Sequence, residues 1–139
     1  MFKHTLIAVT AGALLAAGVA AAAPTQSASM LIRHQVRGCH SWSVNGGTFK
    51  PSQTLTLTRG SSLTITNNDV MPHKLVKLSG PALTFGPAGM SHMGAILKLR
   101  FTHAGVYHFT TKAGEDYPAM SMMKTVGEDN VLRLTVRVP

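Results

Sequence analysis

The stretch TLTLT (54–58), and VLRLTVRV (131–138) from Leu132 onward, switch between apolar and polar or charged residues at every step. This period of two is the feature that most limits the fold, because it puts one apolar face on an extended chain and none on a helix. The same rhythm runs through SLTITN (62–67), HKLVKLSG (73–80), ILKLRF (96–101) and GVYHFTT (105–111). It assigns Leu97, Leu99 and Phe101 to one inner face, Tyr107, Phe109 and Thr111 to another, and Leu132, Leu134, Val136 and Val138 to a third. An opening strand is expected within 30–44, RG at 59–60 is read as a tight turn, and THAG (102–105) as the turn of a hairpin. Seven or eight short strands with Gly, Pro and Asn punctuation and no helical period predict an all-β sandwich or barrel. Two segments, 80–94 and 112–130, are too long for plain turns and mark the places where function concentrates.

The N-terminus reads differently. MFKH is a basic lead, TLIAVTAGALLAAGVA an apolar core, and the alanines before Pro24 suit signal peptidase. Residues 1–23 are therefore expected to be a signal peptide, 24–29 a short linker and 30–139 one domain of about 110 residues, enough for a single core. The protein is expected to be secreted or periplasmic, without stable membrane insertion after cleavage. A single cysteine, Cys39, means that no internal disulfide staples this exported domain.

Composition removes several function classes. The formal net charge is +8, but the lysines and arginines are scattered singly and lack interleaved stacking aromatics, so nucleic acid is not an expected partner. No phosphate-cradling glycine loop, nucleophile elbow or paired zinc-binding cysteine motif is present. Of five acidic residues, four lie in the two GED triplets at 114–116 and 127–129, which leaves little for carboxylate acid–base catalysis. The chain is not expected to be an enzyme.

FKPSQTLTLTRGSSLTITNNDVMPHKL (49–75), followed by FTHAGVYHFTT (101–111) and a methionine-bearing loop, resembles the cupredoxins, the plastocyanin-like blue-copper family. The resemblance implies a single Greek-key β-sandwich and a bound copper ion. It also implies that His73, after its Asn-Asn turn, is the first histidine ligand, and that the strand at 104–111 is the one that leads toward the copper cysteine.

The chain departs from that pattern where the ligands matter. The cysteine position falls at Thr110 or Thr111, and no histidine follows His108; only Met120, Met122 and Met123 do. GCHSW (38–42) offers the missing thiolate in Cys39, with His40 beside it. On a regular strand these two point to opposite faces, so both can serve one ion only where the backbone is irregular, and Gly38 permits a bulge. The expected metal set is Cys39, His40, His73 and a thioether from Met120 or Met122, a soft donor group suited to one copper ion. That ion would cycle between Cu(I) and Cu(II) for one-electron transfer, or be held as Cu(I) for copper handling, with a redox or copper-exchange protein as partner. GMSHMG (89–94) is a second soft cluster, and His103 and His108 read as surface residues. The alternative is a metal-free cupredoxin-fold module that meets a partner through the 80–94 and 112–130 loops.

Overall fold

The computed structural model describes residues 26–113 and 131–139. Nine strands and no helix occur among them. β1 (Ser27–His34), β2 (His40–Val44), β4 (Ser62–Asn68) and β7 (Ile96–Arg100) form one sheet, in the order β2-β1-β4-β7. β3 (Ser52–Thr56), β9 (Arg133–Val138), β8 (Gly105–Ala113), β5 (His73–Ser79) and β6 (Gly89–Met90) form the other, in the order β3-β9-β8-β5-β6. Each sheet is mixed: β1 runs parallel to β4 and β3 parallel to β9, and the remaining pairs are antiparallel. This is a two-sheet β-sandwich, the all-β architecture that the sequence predicts.

The alternation works as expected. Leu97, Leu99, Phe101, Tyr107, Phe109, Leu132, Leu134, Val136 and Val138 all lie in the core, with Trp42, Met30 and Ile32 closing it from the first sheet. Trp42 is fully buried and satisfies its one polar atom by donating from Nε1 to the Pro51 carbonyl at 3.1 Å.

Three expectations are corrected. The 30–44 segment holds two strands, β1 and β2, paired antiparallel from Met30↔Val44 to His34↔His40. β1 also opens at Ser27, so residues 27–29 of the expected linker belong to the sheet, and Ala28 already packs inward. THAG is not a hairpin turn: β7 pairs with β4 whereas β8 pairs with β5 and β9, so residues 101–104 cross from one sheet to the other. Adjacent strands of matching period pack equally well face to face across a core as side by side, and periodicity does not separate the two cases.

At one end of the sandwich the inward positions stop being apolar. β1 places Ala28, Met30 and Ile32 inward and then His34; β4 places Leu63 and Ile65 inward and then Asn67. On β2 His40 shares a face with Trp42, and on β5 His73 shares one with Leu75. The ends of β1 and β4 and the starts of β2 and β5 therefore converge on one polar layer roofing the core.

Candidate metal centre

His40, Asp69 and His73 are all buried, and a donor atom from each lies within 4.8 Å of the others. The His40 and His73 rings meet edge to face, with centroids 5.1 Å apart and planes at 88°. Two turns position them. Between β4 and β5, Asn67 acts as a staple: its Nδ2 donates to the carbonyls of Met71 (2.8 Å) and Met90 (3.1 Å), and its Oδ1 accepts the Asp69 N–H (2.9 Å). Asp69 Oδ1 then accepts the Met71 N–H at 3.1 Å. This side-chain scaffold replaces ladder bonds that the turn cannot make, as Asn and Asp commonly do.

The second turn joins β1 to β2. The Gln35 N–H donates to the Cys39 carbonyl at 2.8 Å and the His40 N–H to the Gly38 carbonyl at 2.7 Å. Gly38 (φ 77°) and Cys39 (φ 62°) are both left-handed. Glycine adopts that conformation freely, but a cysteine there carries a strain of about 1 kcal/mol or more. The predicted irregularity at Gly38 thus exists, as a hairpin turn between two strands instead of a bulge within one. It leaves Cys39 and His40 both buried, at 2% and 5% exposure.

The Asp69 carboxylate organises the layer. Its Oδ2 lies 3.0 Å from His73 Nε2 and its Oδ1 3.5 Å from His34 Nδ1. Burial pushes its carboxyl up. The hydrogen bonds from His73 and the Met71 N–H, together with the nearby imidazoles, outweigh that and hold it below its ordinary 3.8. An ionised carboxylate only accepts, so His73 Nε2 must donate. In the neutral ring this leaves Nδ1 as a bare acceptor, and Nδ1 is buried with no hydrogen-bond partner among the described residues. An imidazole tied back to a carboxylate through one nitrogen, with the other open, is the arrangement of a metal-binding histidine. Both Asp69 oxygens are engaged within the protein, and through Oδ2 the carboxylate positions His73.

Sulfur completes the donor set. Cys39 Sγ lies 3.6 Å from Met71 Sδ, both buried. The donor atoms within 4.8 Å of one another are those of His40, Asp69 and His73, and Cys39 is outside that group; two imidazoles with a thiol and a thioether at the same end are donor types that suit copper.

Of the expected ligands, the structure brings Cys39, His40 and His73 to this one end. Met120 and Met122 lie outside the described residues, as do Met123, Glu115 and Asp116. Thr111, at the position where the resemblance places cysteine, is buried and pairs with Leu75 one layer into the core. The GMSHMG stretch does not act as a cluster: Met90 packs in the core opposite His73, whereas His92 and Met93 are exposed. His103 and His108 are on the surface, as expected. Met71, Asp69 and His34 were not anticipated. The signals for them were modest: Met71 stands two residues before His73, and His34 and Asp69 continue the inward parity of β1 and β4.

No protein-family model matches the chain, and no curated protein matches it. Solved structures similar to it include a methionine-to-alanine mutant of amicyanin in its Cu(I) form, 17% identical over 78% of this chain and 80% of that one, with a TM-score of 0.41. A purple cupredoxin from Nitrosopumilus maritimus is 20% identical over 78% of this chain and 97% of its own, at a TM-score of 0.44. A multicopper oxidase is 18% identical over 82% of this chain and 42% of its own, at 0.47. Likenesses at these TM-scores carry nothing to the site, which stands on its own geometry.

Proposed function

We propose that this chain is an exported copper-binding protein that holds one copper ion through Cys39, His40 and His73, with a thioether as the weak fourth donor. Met71 is the thioether in contact with the Cys39 thiol; Met120 and Met122 remain candidates from the 112–130 segment. The observation that carries the reading is the buried Nδ1 of His73, which has no hydrogen-bond partner among the described residues, with Asp69 at Nε2 and the His40 ring packed edge to face against it. Copper bound there supplies a one-electron couple, which a mixed thiolate, imidazole and thioether set supports in both oxidation states.

The chain's own residues contribute three things. Asp69 fixes the tautomer and orientation of His73. The Gly38–Cys39 turn brings the thiol and His40 into the same buried layer. The core beneath excludes water, which favours the soft donors over hydrated competitors. Function follows as one-electron transfer or as copper handling with an exchange partner. Export rests on the 1–23 pattern, and the mass of the protein recovered from the envelope or medium tests it.

The deciding experiment is the optical and electron-paramagnetic spectrum of the protein after one equivalent of Cu(II), run beside Cys39→Ser. An intense visible thiolate-to-copper band that is absent from the variant supports electron transfer. Bleaching to retained Cu(I) supports copper handling. No site-dependent uptake overturns the reading and leaves a metal-free module.

A further inference from the structure

Asp69, buried in the site layer, is the one carboxylate side chain among the described residues, so their exposed surface carries cations without exposed counter-charges. Most of these cations are placed harmlessly. In the strand registers Arg33 lies opposite Ser41, Lys98 opposite Thr64, Arg100 opposite Ser62, Lys77 opposite Phe109 and Arg133 opposite Thr110. Arg33 also stacks its guanidinium on Phe49, 3.7 Å from the ring centroid.

One pair breaks the pattern. Lys74 on β5 faces Lys112 on β8 directly across the ladder, both exposed, and Arg133 on β9 lies on the diagonal from Lys112. Like charges in directly opposed positions destabilise a sheet. Neither lysine has a carboxylate within ion-pair distance among the described residues. Beside the pair lies a cleft of about 280 Å³ walled by Pro72, Lys74, Gly89, Ser91 and Lys112, and His73 belongs to its lining. The register explains this: His73 pairs with Ala113 one step before Lys74 pairs with Lys112. The opposed cations thus flank a cleft whose lining includes His73, the neighbour of Lys74 in the chain.

We infer that this cleft is the docking surface for a protein partner bearing a carboxylate-rich patch, seated on Lys74 and Lys112 with Arg133 at its flank. Among the described residues no carboxylate stands between the opposed lysines, and one placed there by a partner relieves their repulsion. The surrounding excess of positive charge steers such a partner toward this face. Its use for electron or copper exchange rests on the copper reading above, because the cleft matters to that traffic only if His73 is a ligand.

The test has two arms. In the first, the copper-free protein is titrated with an octaglutamate peptide while backbone amide shifts are followed. The expected shifts are confined to the amides around His73, Lys74, Gly89, Ser91, Lys112 and Ala113 and vanish at high salt. Lys74→Glu and Lys112→Glu each weaken binding about tenfold, whereas Lys98→Glu on the opposite sheet changes it little. Shifts spread over the Lys98 and Arg100 face, or indifference to Lys74→Glu and Lys112→Glu, overturn the proposal. So does displacement of the peptide by equimolar inorganic phosphate, which would make the cleft a small-anion site. In the second arm, the copper-loaded protein is oxidised by hexacyanoferrate(III) and by the cation tris(phenanthroline)cobalt(III). The charge-reversed variants should slow the anion about tenfold at low salt and speed the cation. If the chain takes up no copper, the second arm gives no signal while the first still decides on docking.

Discussion

His73 Nε2 and Asp69 Oδ2 lie 3.0 Å apart, four residues from each other in sequence and both fully enclosed. A buried ionised carboxylate is costly unless it is hydrogen-bonded on every side. Asp69 accepts hydrogen bonds from His73 and the Met71 N–H, and His34 Nδ1 lies 3.5 Å from its Oδ1. The same contacts that make the charge tolerable also fix which nitrogen of His73 stays open.

Asp69→Asn keeps the shape and removes the charge. Copper affinity should fall by about 10- to 100-fold, the usual cost of losing a ligand's carboxylate support. Competition against a chelator of known affinity measures this, with far-UV circular dichroism confirming that the sandwich persists. An unchanged affinity would remove Asp69 from the site.

Ligand removal should show in heat as well as in spectra. Copper at about 100 times its dissociation constant adds roughly 2.7 kcal/mol to the folded state, equivalent to a rise of about 10 °C in Tm for a domain of this size. His73→Ala and Cys39→Ser should abolish this gain. Scanning calorimetry with and without copper checks it, and a gain that survives both substitutions would place the ion elsewhere.

Met71→Leu nearly conserves volume and should cost less than about 1.5 kcal/mol in urea unfolding. If the Met71 thioether is the weak fourth donor, the visible band shifts and the reduction potential moves. If the donor is Met120 or Met122 instead, Met71→Leu leaves both unchanged and the corresponding leucine variants move them.

Burial holds the Tyr107 phenol above its ordinary value of 10.0, and its hydroxyl donates to the His103 carbonyl at 2.7 Å. A group whose folded pKa is raised contributes stability that is complete below the unfolded value and is lost as pH rises through the folded one. Urea midpoints should therefore hold until about pH 10 and decline above it. Tyr107→Phe should lower stability by about 1 kcal/mol at neutral pH and flatten the alkaline decline.

Gly80 sits at φ 112°, and a Cβ there would lie 2.6 Å from the Val106 carbonyl oxygen and 2.8 Å from Tyr107 Cα. Backbone cannot yield as a side chain does. Gly80→Ala should cost roughly 2–4 kcal/mol, read from chemical denaturation, with copper binding preserved in the fraction that folds.

The sequence carried the sandwich clearly, because strands such as β1, β4, β7 and β9 bury every second residue, a spacing that no helix has. It carried less of how the strands are shared between sheets: the 101–104 crossover has the same composition as a hairpin turn. Among the residues at the candidate site, Cys39, His40 and His73 stood out in the sequence through donor chemistry and through the resemblance around MPH. Asp69 was not, since an Asp after two asparagines reads as turn formation, and only its inward direction and its contact with His73 reveal another task. Met71 was obscured by the richer methionine cluster near residue 120. The contact that singles it out joins residues 32 apart in sequence and depends on the left-handed turn at Cys39.

That turn also bears on the order of assembly. His34, Cys39, His40, Asp69, Met71 and His73 occupy one continuous stretch of chain, and β1, β2 and β4 form adjoining strands of one sheet. Residues 35–39 join His34 to His40 and 70–72 join Asp69 to His73, while 41–68 separate the two halves, and closure entropy grows only with the logarithm of loop length. A chain emerging N-terminus first thus presents its thiol and both imidazoles before β8 and β9 exist. On the copper reading proposed above, an ion held at this stage would precede β8, the strand that pairs with β5 and seats His73.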